Sequence, residues 1–147
     1  MKHVSIEQAA GEIDRMIVRV RNLPARMLQS VTEAAMPAIA REIDREFAGG
    51  RDPYGKQWAA LQPATLRKHG PPPLTDSGAM HRGAQVTTPG RGQLRIRIDS
   101  PAQHHQWGFR NARRRVPARR LVPQIHLPAS WRTAIEEAVR RVLKGRP

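Results

Sequence analysis

Apolar residues recur at helical spacing in three stretches of the chain. Ile6, Ala10, Ile13, Ile17 and Val20 fall at three- and four-residue steps, with Ser5 placed to cap and Gln8 to reciprocate, which predicts an N-terminal helix over residues 1–22. Asn22-Leu23-Pro24 ends that helix and starts another, since proline suits a first helical turn and restricts the residue before it. The second helix carries Leu28, Val31, Ala35, Ile39, Ile43 and Phe47 on one stripe and stops at Gly49-Gly50. Pro37 lies in its middle, removing a backbone donor and crowding the carbonyl of Glu33, so a kink or two helices in series are expected. A last helix starts near Ser130, a plausible cap, and turns Trp131, Ile135, Ala138, Val139 and Val142 inward. Glu136 and Glu137 precede Arg140 and Arg141 by one helical turn, the favourable order for ion pairs, and Gly145 is placed to end the helix.

The period changes from helical to alternating in the second half. Leu94, Ile96 and Ile98 alternate with Arg95, Arg97 and Asp99, so one face of that strand is buried and its arginines look outward to solvent or a partner. Gln85 to Thr88, the turn Pro89-Gly90-Arg91-Gly92 and Gln93 to Asp99 make a hairpin. Further on, apolar residues flank residues 110–120, an arginine-rich loop between two short strands.

Between the helices and the hairpin, Phe47 to Gly78 has more turn chemistry than a plain linker requires. Pro53 can pre-set a turn that Gly55 completes, and Asp52 and Asp76 suit turns because their side chains bond nearby backbone donors. Trp58 and Leu61 are apolar anchors, Pro63 to Lys68 reads as a short helical turn, and the whole stretch is expected to dock on the body. Trp58, Trp107 and the Leu94/Ile96/Ile98 face are expected to share the core. The elements together predict an α+β fold, helices packed on one face of a small antiparallel sheet, in a single domain over residues 1–147.

Charge sharpens the picture. The net charge of +14 is unevenly placed: residues 1–48 hold seven Lys/Arg and seven Asp/Glu, whereas residues 77–126 hold ten Arg and only Asp99 as an acid. Such a surface attracts polyanions or acidic protein faces through fields that salt weakens. Hydrophobic residues make up only 39% of the chain, with one Tyr and two Phe, so part of the order is expected to depend on a partner. Zero Cys excludes disulfides and thiolate metal sites. No apolar run has the length of a signal peptide's core or a membrane span, so a protein that is soluble and cytoplasmic where it is made is expected, without a membrane partner.

The sequence offers no candidate for catalysis, a cofactor or a metal. The six histidines lack ligand spacing on one helix face, and His104 and His105, if in a strand, would point to opposite sides. There is no glycine-rich phosphate loop, no Gly-x-Ser-x-Gly elbow and no paired carboxylates in a recognisable pocket. The residues that remain are basic: Arg95, Arg97, Arg113, Arg114, Arg115, Arg119 and Arg120 are candidates for contact with an assembly partner or DNA. The same cluster beside Trp107 and Phe109 could bind single-stranded nucleic acid by pairing phosphate contacts with base stacking.

The chain also resembles the bacteriophage virion morphogenesis family, the tail-completion or neck proteins of tailed phages. The matching pieces are Phe47, Asp52-Pro53-Tyr54-Gly55, Trp58, Leu61, Thr65 and Lys68; Leu74-Thr75-Asp76-Ser77-Gly78; His105-Gln106-Trp107-Gly108; and Val116-Pro117-Ala118-Arg119 before Leu121. They run in the family's order over roughly residues 40–143. Ala79-Met80-His81 and Arg120 depart from the family's usual pattern at their positions. The resemblance implies a non-catalytic subunit of the virion's tail or neck that forms a ring, six-fold by preference, around the DNA path. Its partners would be copies of itself, the tail tube and the head connector or stopper, with possible contact to passing double-stranded DNA. The alternative expectation, from charge alone, is a basic nucleic-acid-binding module.

Overall fold

A computed structural model describes residues 24–69, 74, 78–90, 92–99, 102–113 and 115–145. The helix expected over residues 1–22, the turn residue Asp76 and Arg114 lie outside the described residues. The described elements are α1 (Ala25–Gly49), α2 (Pro63–His69), α3 (Ala79–Arg82), β1 (Ala84–Gly90), β2 (Gln93–Ile98), α4 (Ala102–Trp107), β3 (Phe109–Arg110), β4 (Arg115–Val116) and α5 (Ala129–Lys144).

The central element is α1, because its apolar stripe meets both α5 and the β1–β2 hairpin. Ile39, Ile43 and Phe47 join Trp58, Ala102, Leu121 and Trp131 in the buried core, each large side chain contributing about 1.5–3 kcal/mol by leaving water. Ala84, Val86, Leu94, Ile96 and Ile98 pack against that cluster from the sheet side. The fold is thus α+β, with helices against one face of a small antiparallel sheet. Register pairs Val86 with Ile96 and Thr87 with Arg95, then shifts before Gly90 meets Gln93. Alternation holds through β2, where Arg95 and Arg97 are exposed and Leu94, Ile96 and Ile98 are half-buried.

Several expectations are corrected. Pro37 does not divide the second helix, which runs as one element through it. Pro37 and Glu33 both lie on the exposed side, where the carbonyl left without its amide partner is open to water, while Val31, Ala35, Ala38 and Ile39 hold the other side down. The capping position of α5 is occupied by Pro128, which leaves Ser130 inside the first turn. The expected ion pair between Glu136 and Arg140 does form, at 3.8 Å. His104 to Trp107 form the short helix α4 rather than a strand, and Trp107 is 71% exposed, outside the core.

The Phe47–Trp58 stretch is docked as expected. Gly50 adopts a left-handed conformation (φ 60°), its N–H donating to the Phe47 carbonyl at 3.3 Å and that of Arg51 to the Glu46 carbonyl at 3.0 Å, which closes α1. Asp52 then organises the turn, its Oδ1 accepting from the N–H groups of Tyr54 (3.0 Å) and Lys56 (2.8 Å). Trp58 packs edge-on to Phe47 at 5.5 Å and donates its indole N–H to the Arg120 carbonyl at 3.0 Å. The Tyr54 hydroxyl accepts from the N–H groups of Gln124 and Ile125 and donates to the His126 carbonyl. The bonds accepted from Ile125 and Gln124, the one from Ile125 most, lower the Tyr54 pKa because they favour the phenolate.

Candidate interaction surface

The arginine-rich segment is held rigidly at its base by side chains that sequence reasoning passed over. Gln106, on α4, is buried, and its Oε1 accepts from the N–H groups of Leu121 (2.7 Å) and Val122 (3.0 Å) while its Nε2 donates to the Val122 carbonyl (2.9 Å). The backbone of Arg119 donates to the His105 carbonyl at 2.6 Å. Gly108 follows at φ 75°, and a Cβ there would lie 2.9 Å from the Ala118 amide nitrogen, so the two arms of the segment meet too closely for any side chain. The only forewarning of Gln106 in the sequence was its place in the family-like His105-Gln106-Trp107-Gly108 run.

Beyond this base the chain makes a small finger. Phe109 pairs with Val116 and Arg110 with Arg115, and the tip turns through Asn111, whose Oδ1 accepts from the Arg113 N–H at 2.9 Å. Arg110, Arg113 and Arg115 are exposed, as are Trp107 and, at 42%, Phe109. With Gln106 turned inward, the next residue along α4 is rotated by about 100° around the helix, and this carries Trp107 outward. A basic surface with two exposed aromatics results, on a base fixed by hydrogen bonds.

Arg119 is the expectation most plainly overturned, since its side chain faces inward rather than toward a partner. It is 5% exposed, with Nε donating to the Ala59 carbonyl (2.9 Å) and a terminal nitrogen to that of Ala60 (3.1 Å). Burial lowers its pKa, and it lowers that of His105 as well, with the Arg119 charge adding to the effect on the histidine. Arg119 therefore ties the Ala59-Ala60 backbone to the finger's base.

The other candidate arginines separate. Arg95 and Arg97 stand on the exposed face of β2, where Arg97 is held to Asp99 at 2.9 Å. Arg120 is exposed, and its own backbone carbonyl is the acceptor of the Trp58 indole. Among the family-like residues, Phe47, Pro53 and Trp58 are buried, Gly55 (φ 84°) and Gly78 (φ 66°) take left-handed conformations, and Leu61, His105 and Pro117 are half-buried. Phe47, Trp58, Leu121 and Trp131 meet in one cluster, whereas Arg95 and Arg97 lie on a different hairpin from Arg110, Arg113 and Arg115.

A second feature escaped the sequence reading. Glu46 lies on the inward stripe of α1, three residues after Ile43, and is 8% exposed; that position within an apolar stripe was the available signal. Burial, partly offset by a hydrogen bond from Trp131 and reinforced by the charges of Glu42 and Asp52, pushes its pKa up to about 8. Among the described residues, no three His, Cys, Asp or Glu side chains gather as a metal site, and no helix is long and apolar enough to cross a membrane. No protein-family model, curated protein or solved structure matches the chain.

Proposed function

We propose that this chain is a structural subunit of a tailed-phage virion, a tail terminator or neck protein whose copies form a ring at the head–tail junction and join tail tube to head connector around the DNA path. The observation that supports this reading is the finger at residues 109–116. Arg110, Arg113, Arg115 and Phe109 face outward beside the exposed Trp107, while the base is tied down by Gln106, Arg119 and Gly108, an arrangement that spends ordered surface on a neighbour rather than on the protein's own core. The order of family-like residues from Phe47 to Leu121 supports the reading of a place at the head–tail junction. Deleting residues 111–115 is expected to leave the fold intact and to yield particles whose heads and tails remain separate. Normal infectious particles from that deletion would refute the assembly role.

The exposure of Trp107 favours a second reading, a basic nucleic-acid-binding module in which bases stack on Trp107 and Phe109 while Arg110, Arg113 and Arg115 meet phosphates. The two readings separate by size and by salt. A ring subunit self-associates and binds free DNA weakly, whereas a nucleic-acid module stays small and binds single strands with an affinity that falls by ~0.7 log unit per log unit of salt for each phosphate neutralised.

A further inference from the structure

The C-terminal end of α1, the Arg51–Gly55 turn and Ser130 enclose a cleft of about 340 Å³. Glu42, Glu46 and Asp52 line it together with Arg45 and Arg51. Glu42 is already paired with Arg45, and Asp52 is committed through Oδ1 to the backbone of its own turn. Glu46 is different. One carboxyl oxygen accepts from the Trp131 indole at 2.7 Å, while the other, Oε2, is shielded from solvent and has no hydrogen-bond partner among the described residues. A carboxyl group buried with an oxygen unpaired is costly in either protonation state, and the cost is removed by a donor arriving from outside.

We propose that this cleft receives an arginine side chain from the finger of a second copy of the chain, so that the Glu46 carboxylate of one subunit and the finger of the next form the repeating contact of the ring. The proposal rests on the ring reading above and gives it two faces. Charge complementarity identifies the occupant. Residues 100–135 contain no acid, and Arg110, Arg113 and Arg115 are exposed and make no ion pair among the described residues. Four of the twelve acids, Glu42, Asp44, Glu46 and Asp52, fall within the span 42–52, at the helix end whose carbonyl dipoles add negative potential. The cleft and the finger are different patches on one subunit, so the contact is head-to-tail, the kind that closes into rings.

Docking requires Glu46 to ionise. In the free subunit its raised pKa of about 8 keeps it largely protonated at neutral pH, so each contact releases a proton and association tightens with pH, by at most tenfold per unit, up to about pH 8. The groups facing Glu46 are Glu42 and Arg45 on α1, Arg51 and Asp52 on the following turn, and Ser130 and Trp131 on α5.

Sedimentation of the full chain at several pH values tests the contact with two variants. Glu46→Gln keeps the acceptor for Trp131 but cannot ionise, and the triple variant Arg110→Ser, Arg113→Ser, Arg115→Ser removes the donors from an exposed segment; circular dichroism checks that both fold. Each variant alone is expected to associate at least tenfold more weakly than the native protein. An equimolar mixture is expected to give a one-to-one pair and nothing larger, because only one intact cleft and one intact finger can meet. A native oligomer indifferent to Glu46→Gln, or a mixture that stays monomeric where the native protein assembles, would overturn the cleft–finger contact and leave the ring reading standing. A native protein that remains monomeric throughout would overturn both.

Discussion

The indole N–H of Trp131 donates to Oε1 of Glu46 at 2.7 Å, joining α5 to α1 through two buried side chains. Packing brings these helices together, and this bond fixes how they sit, since both partners are hidden from water and neither finds a substitute donor or acceptor cheaply. The same bond holds the carboxyl group whose second oxygen has no hydrogen-bond partner among the described residues.

Stability should therefore fall with rising pH on account of Glu46. Its folded pKa of about 8 lies above the ordinary carboxylate value of 4.5, so between these limits the folded state holds a proton that the unfolded state has released. The contribution is complete below about pH 4.5 and is lost as pH climbs toward 8. Glu46→Gln removes that loss, and the variant should exceed the native protein at pH 8 by a few kcal/mol, at roughly 1.4 kcal/mol per pKa unit. Urea denaturation of both proteins at pH 5 and pH 8 checks this, and parallel profiles would contradict the raised pKa.

Two tryptophans that look alike in the sequence should behave oppositely. Trp58→Ala removes a core ring, its edge contact with Phe47 and its bond to the Arg120 carbonyl, and should cost about 3–5 kcal/mol. Trp107→Ala alters an exposed ring and should change stability by less than about 0.5 kcal/mol. Denaturation midpoints of the two variants decide; similar losses would mean that Trp107 is buried.

Arg119 should prove structural, unlike the finger arginines. Arg119→Met leaves the Ala59 and Ala60 carbonyls without their donors and should cost on the order of 1–3 kcal/mol. Arg113→Ala, at an exposed position, should leave the thermal midpoint unchanged while weakening assembly. An Arg119→Met protein as stable as the native one would remove the finger's proposed anchor.

Gly108→Ala should disturb the finger's base. The substitution meets both a left-handed backbone and a 2.9 Å approach to the Ala118 nitrogen, so a loss of at least 1–3 kcal/mol is expected, roughly the cost of backbone strain alone. Hydrogen exchange at the Arg119 and Leu121 amides, which donate across that base, should accelerate in the variant. Unaltered exchange there would show that the close approach relaxes freely.

What was legible in the sequence was what repeats locally. The stripe from Val31 to Phe47, the alternation of Leu94, Ile96 and Ile98 with arginines, the stop of α1 at Gly49-Gly50 and the Asp52 turn each follow from backbone geometry acting over a few residues. These settled the α+β class and placed Arg95 and Arg97 outside. Tertiary structure decided the cases where residue type and location disagree. Hydrophobicity alone puts Trp107 inside and Gln106 and Arg119 outside; the observed arrangement is the reverse, because Gln106 and Arg119 find backbone partners in segments 15 to 60 residues away. Glu46 is buried for a similar reason, its indole donor lying 85 residues further along the chain. A polar side chain is stable inside only when a distant partner meets it, and the period of a sequence carries no record of that meeting.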